Sequence, residues 1–241
     1  MEIPDATPDA PTANPPDKQL IAPLWHLVCV FLLLAGWVSL SLFPRQHHFG
    51  ALSPRISSYL AVLFCEWFIF AFIWWGLRIQ RVPFASLFGE ISARLRKVLV
   101  DIGIAVVFLI VANIVLNILG VLLRTARDNQ GVKRLLPHTP AEIAVYLLVC
   151  ITAGICEETI FRGYLQRQFT ALTKSAAVGA ILQGIIFGLA HAYQGWKMII
   201  IIAIYGCIFG ALVLWRRSLR PGMIAHFLQD SIAGIFLARH L

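Results

Sequence analysis

Hydrophobic residues in this chain come in long blocks, not in alternation, and the blocks are separated by short stretches where Pro, Gly, Arg and Lys gather. A run of about 20 apolar residues is the length at which an α-helix crosses the hydrocarbon core of a bilayer. The pattern predicts about seven such spans, at residues 24–43, 58–77, 98–123, 141–163, 176–192, 195–215 and 222–237. Pro44 and Arg45 close the first; Arg78 and Arg81 close the second. Connections this short make neighbouring helices antiparallel. The predicted fold is therefore all-α, a multi-pass transmembrane helical bundle forming one domain over residues 21–241. Residues 1–20, rich in Pro, Ala and Asp, lack the basic and apolar regions of a signal peptide and read as a disordered tail.

Composition agrees with this pattern. Only 13% of the residues are charged and 59% are hydrophobic, against about 25% charged in soluble domains. The net charge of +8 does not indicate a nucleic-acid partner, because the Lys and Arg sit in loops between apolar runs, where they set topology and meet anionic headgroups. Membrane lipid is the expected partner. The loop with Arg78, Arg81, Arg94, Arg96 and Lys97 against Glu90 reads as cytoplasmic and sets the N-terminus inside, while the loop with Arg124, Arg127, Asp128, Lys133 and Arg134 then falls outside, against the rule. Cys29, Cys65, Cys150 and Cys207 lie in apolar runs and Cys156 beside two acids, with no C-x-x-C spacing, so they read as buried thiols. Gly184 with Gly188, and Gly206 with Gly210, have the spacing that lets helices approach closely in lipid.

Against this background the stretch Glu157 Glu158 Thr159 Ile160 Phe161 Arg162 stands out. A charge at the bilayer centre costs from about 3 to well over 10 kcal/mol, so an ionisable residue there marks a functional site by default. On a regular helix Glu158 and Arg162, four apart, share a face, and Glu157 points about 100° away. Arg162 is placed to hold Glu158 as a structural pair, which leaves Glu157 for general acid/base work. His191 and His226 also fall within apolar runs, and Asp230 shares a helical face with His226. His26, His47, His48, His138 and His240 read as solvated or interfacial, and Glu66, Asn113, Asn117 and Gln183 as interhelical hydrogen-bonding groups.

Three motifs now stand in order: Glu157-Glu158 with Arg162, Phe187 with His191, and His226 with Asp230. They resemble the E-E-x-x-x-R, F-x-x-x-H and H-x-x-x-N motifs of the CPBP family of intramembrane proteases, also called the Abi family, which includes type II CAAX prenyl endopeptidases. The resemblance covers residues 141–233 and departs at Asp230, where Asn is common. It implies a CAAX-protease-like core and an endopeptidase acting on membrane-associated or prenylated polypeptides. Glu157 would activate a water with His191, and His226 with residue 230 would steady the oxyanion; Asp230 would either be protonated for this or, ionised, hold His226 as imidazolium. It further implies an integral protein of the cell (inner) membrane, with a polar cavity opening toward the cytoplasm.

Alternatives stay open at this point. Glu157, His191 and His226 are candidate zinc ligands for a metal-dependent version, although H-E-x-x-H is absent and the ligands would come from three helices; the preferred reading has no cofactor. A proton-coupled transporter would string Glu, His and Asp along the membrane normal. A non-catalytic scaffold would keep the fold without the chemistry. Depth poses a further question. At about 1.5 Å per residue, His226 falls about 9 Å past Arg220 and His191 about 25 Å past Lys174. Bringing them level requires a tilted fifth helix or an interfacial segment over residues 164–174.

Overall fold

The computed structural model describes residues 19–42, 53–89, 93–125, 133 and 135–239, so the expected tail, except its last two residues, and the histidines His47, His48 and His240 lie outside the described residues. Long apolar blocks give long helices. They are α1 (Leu24–Leu42), α2 (Pro54–Ile79), α3 (Leu95–Leu122), α4 (Pro140–Thr173), α5 (Ala176–Ala190), α6 (Trp196–Arg216) and α7 (Arg220–Arg239). Among the described residues there is no sheet, only one isolated bridge between Gly89 and Ser218.

Five of these helices, α1, α2, α3, α4 and α6, are long and apolar enough to cross a membrane, which marks the chain as an integral membrane protein. Their outer faces carry exposed Leu32, Phe64, Val107, Val121 and Trp215, the surface lipid tails would cover. The other two predicted spans need correcting. Helix α5 has 15 residues, about 22 Å at 1.5 Å per residue, too short for a 30 Å hydrocarbon core. Helix α7 has 20 residues but carries Arg220, His226, Asp230 and Arg239, which take it out of the set of apolar spans.

The start of α4 is dictated locally. Thr139 caps the helix by accepting from the Glu142 amide, Glu142 accepts from the Thr139 amide in return, and Pro140 opens the first turn. Glu142 also accepts from the Ser53 hydroxyl at 2.9 Å, which ties the starts of α2 and α4 together. At the other end of the bundle, Gln168 of α4 accepts from the Ile21 amide at 3.0 Å and donates to the Ala22 carbonyl at 2.9 Å. The chain is thus fixed just before α1 begins.

That anchor buries His26, contrary to its expected interfacial place. The side chain is fully buried. One ring nitrogen meets the Tyr164 hydroxyl at 2.8 Å and the other the Phe72 carbonyl at 2.9 Å, with the ring stacked on Phe72. The ring fits only because position 76 is glycine, where any Cβ would run into it. Gln183 is interhelical as expected, donating to the Gly206 carbonyl at 2.8 Å, and Asn113 donates to Gln229 at 2.7 Å. Asn117 instead donates to Asn113 of its own helix.

Helix α5 lies between α4 and α6 in close contact. A Cβ at Gly206 would come within 2.9 Å of the Gly184 Cα, so these two glycines of the paired spacings bring the backbones together. The depth question is answered by α4. Residues 164–173 are not interfacial: they continue the helix, with Gln166, Gln168 and Thr170 buried. Gly163 lies level with Leu219 and Leu87, so α7 starts about ten residues deeper than Lys174. Arg220 and Lys174 are at different depths, and both histidines reach the Phe187 ring.

Gly76→Ala should lower the stability of the purified protein by about 1–3 kcal/mol, the usual cost of overpacking. A thermal melt in detergent checks this, and Gly36→Ala, where a Cβ meets nothing, serves as the silent control.

Candidate active site

The acidic pair sits where α4 changes its winding. From Glu158 to Leu165 the helix widens to π geometry, and the Gln166 amide bonds the Phe161 carbonyl five residues back. Such widened turns are rare and collect at functional sites. Every residue from Glu158 to Leu165 is buried. The Glu158–Arg162 spacing still closes an ion pair, at 3.0 Å, with both side chains fully shielded.

Arg162 is clamped by rings. Its guanidinium carbon lies 4.2 Å from the Phe187 centroid and 4.9 Å from that of Phe209, so its charge is met by one carboxylate and two aromatic faces. Glu158 abuts the first turn of α7, where a Cβ at Gly222 would come within 2.9 Å of its Oε2. A helix N-terminus favours a negative charge at that point. Pro221 and Gly222 therefore do for α7 what Gly184 does for α5: they let a helix come close.

From the other side, His226 of α7 reaches Glu158 with Nδ1 at 3.0 Å from Oε1. A carboxylate accepts, so Nδ1 carries the proton and Nε2 is the working nitrogen. Nε2 lies 3.7 Å from Glu157 Oε2 and 3.5 Å from Asp230 Oδ2. His191, at the C-terminal end of α5, is oriented in the same way: its Nδ1 is 2.8 Å from the Phe187 carbonyl, which turns Nε2 away from its own helix. The Phe187 ring stands between the two, 4.7 Å from the His191 ring and 6.1 Å from that of His226. Asp230 is within electrostatic reach of His226, Glu157, His191 and Glu158.

The site has a dry side and a wet one. Glu158 and Arg162 are shielded completely, whereas the side chains of Glu157 and Asp230 are 20% and 38% exposed. Glu157 Oε2 is itself shielded and has no hydrogen-bond partner among the described residues, with His226 Nε2 at 3.7 Å; the side chain's exposure therefore lies at its other atoms. The six residues singled out in the sequence thus come from α4, α5 and α7 to one place.

Two more groups belong here that sequence reasoning placed elsewhere or passed over. Glu66, read as an interhelical hydrogen-bonding group, is buried on α2 with Oε2 unpartnered, and it feels the charges of Glu157 and Asp230. Its position as a lone carboxylate inside an apolar run was the available signal. Tyr193, two residues past His191 in the turn before α6, has its phenol pushed up to about 12 by burial, with Glu157, Asp230 and Glu66 adding to the effect. It therefore stays protonated, and its oxygen accepts from the Gln194 side chain at 3.1 Å. In sequence nothing distinguishes it from any other loop tyrosine.

A zinc ion does not fit the candidate ligands Glu157, His191 and His226 as they stand. Among the described residues no group of three or more His, Cys, Asp or Glu is arranged to hold a metal.

The sequence profile of the type II CAAX prenyl endopeptidase Rce1-like family matches residues 139–232, a stretch that begins at the cap of α4 and ends just past Asp230. Over those residues the chain is similar to that family, a likeness that implies a peptidase with protein substrates. No curated protein matches the chain, and no solved structure does.

Glu158→Gln should destabilise the protein by about 3–5 kcal/mol, because it leaves the Arg162 guanidinium buried without its counter-charge. The double variant Glu158→Gln with Arg162→Met should recover part of that loss. Melting curves of the two proteins in the same detergent decide the point, and equal stability of the single variant and the parent would show that the pair is not needed.

Proposed function

We propose that this protein is an intramembrane endopeptidase that hydrolyses peptide bonds of membrane-associated or prenylated polypeptides with a water activated by Glu157, and without a metal. The observation that carries the reading is the meeting of Glu157, His191, His226 and Asp230 from three helices around Phe187, against a fully buried Glu158–Arg162 pair.

Hydrolysis of an amide needs a base for the water, charge for the oxyanion and a proton for the leaving amine. Glu157 takes a proton from a water that His191 Nε2 helps to orient. The resulting hydroxide adds to the carbonyl carbon, and the carbonyl oxygen takes up the negative charge. His226, protonated at both nitrogens, donates from Nε2 to that oxygen while Glu158 and Asp230 balance its charge. Collapse of the adduct breaks the C–N bond, and Glu157 returns its proton to the amine. Asp230 at 3.5 Å from Nε2 supports its role as the group that keeps His226 charged, the task the resemblance leaves open where Asn is replaced by Asp.

Convergence favours this reading over a proton relay. A relay spaces its acids along the membrane normal, whereas Glu66 interacts with Glu157 and Asp230 in the same cluster. The ends of α2 and α6 and the starts of α3 and α7 gather Arg78, Arg96, Lys97, Arg216 and Arg220 at one end of the bundle. That supports the cytoplasmic side being at this end, in a cell membrane, with the N-terminal side of α1 on the same face.

Purified protein in detergent with a quenched fluorescent peptide ending in a prenylated C-a-a-X sequence is the test. Glu157→Gln should cut the cleavage rate at least about 100-fold, the lower range for loss of a general base, with an unchanged melting temperature; full activity in that variant would remove the mechanism. Asp230→Asn should remain more active than Asp230→Ala, because an amide N–H can still serve the oxyanion and a methyl group cannot.

A further inference from the structure

Helix α3 leans mainly on α7 and only lightly on α6, and the space between α3 and α6 forms a two-part cavity away from the site just described. At the basic end of the bundle is a cleft of about 390 Å³ lined by Arg94, Arg96, Lys97, Arg216, Arg220 and Asp101. Val100 forms part of this cleft and also of a second cavity, an apolar groove of about 580 Å³ that runs on between the helices past Gly103, Val107, Phe108, Ala211 and Trp215. Both volumes are within the range of ligand pockets. One is strongly cationic, the other is almost wholly hydrocarbon, and they share a wall.

The cationic part is a built structure. Asp101 is buried on α3 and accepts from Arg216 at 3.1 Å and from Arg220 Nε at 2.6 Å, so one carboxylate holds two guanidinium groups from α6 and α7 at the mouth of the groove. Five cations line the cleft against that one acid. Arg96 and Lys97 are exposed on the first turn of α3. An anion with a long apolar tail suits both halves at once; a free anion would leave the groove uncovered, and a neutral lipid would leave the excess of five cations over one acid unbalanced.

We infer that this is a binding site for one anionic glycerophospholipid, with its phosphate among Arg96, Lys97, Arg216 and Arg220 and one acyl chain along the α3–α6 groove. The cations lie at the end of the bundle where the surrounding leaflet carries anionic headgroups. The lipid would fill the gap that α3 leaves on α6. Phe108 of the groove packs edge-on against Phe209 at 4.7 Å, and Phe209 faces both Arg162 and His226, so an occupied groove supports the wall behind the acidic pair. The inference rests on the chain lying in a membrane and not on its being a peptidase.

Native mass spectrometry of the full chain in detergent, titrated with dioleoyl phosphatidylglycerol, dioleoyl phosphatidylcholine or inorganic phosphate, tests it. Phosphatidylglycerol should bind at least tenfold more tightly than phosphatidylcholine and raise the melting temperature, and inorganic phosphate at equal concentration should not. Arg96→Gln with Lys97→Gln should weaken phosphatidylglycerol about 30-fold, at roughly fivefold per cation. Gly103→Trp, at a position where a side chain meets no protein atom within 4 Å, and Ala211→Trp from the opposite wall should each block the acyl chain, so failure of one variant to fold leaves the other decisive. Equal binding of the two lipids, equal stabilisation by phosphate alone, or full binding by the folded variants would overturn the assignment. Because the readout is binding, the same titration on the Glu157→Gln protein keeps its outcome separate from that of the peptidase reading.

Discussion

The structure depends on keeping one guanidinium charged where lipid would otherwise surround it. Arg162 is buried completely, and its charge is met by Glu158 at 3.0 Å and by the faces of Phe187 and Phe209. Each of these partners has its own further duty. Glu158 orients His226 through Nδ1, Phe187 separates the two histidines and gives its carbonyl to His191, and Phe209 joins α6 to α7 and α3. An uncompensated charge at this depth is so unfavourable that the helices supplying its partners can shift little against one another. The same constraint that holds the fold therefore fixes the spacing of the groups proposed to act on a peptide.

This explains why the two neighbouring carboxylates differ. Glu158 is spent on structure: it faces Arg162, His226 and the N-terminal turn of α7 and sees no solvent. Glu157 follows the last turn of regular α-helix before the winding widens, keeps an unpartnered oxygen and is partly exposed. The difference comes from the helices packed around them. The widened turn also matters for position, since it carries the buried run Glu158–Leu165 past α7, and the helix then continues to Thr173 without an interfacial segment.

Much of the arrangement was legible in the chain. Hydropathy alone marked the helices, because runs of that length have no other use than crossing lipid or filling a very large core. Charge scarcity marked the site: in 241 residues with 13% charged, Glu157, Glu158, Arg162, His191, His226 and Asp230 had to be either errors or function. Spacing went a step further, because four residues on a helix bring Glu158 to Arg162 and His226 to Asp230 whatever surrounds them.

What sequence did not determine were matters of depth and neighbourhood. Hydropathy does not tell a helix facing lipid from a short one enclosed by protein, so α5 read as a span and α7 as more apolar than it is. His26 lies at the start of an apolar helix, and only the anchoring of Ile21 and Ala22 on Gln168 carries it into the interior beside Gly76. Glu66 comes within electrostatic reach of the acidic cluster from 91 residues before Glu157, and Tyr193 from 36 residues after it, separations at which helix periodicity says nothing. Local periodicity fixes which residues share a helix face, because that depends on backbone geometry alone. Which faces meet, and at what height, depends on where close-packed glycines and buried charges let each helix come to rest, and that was decided only by the folded whole.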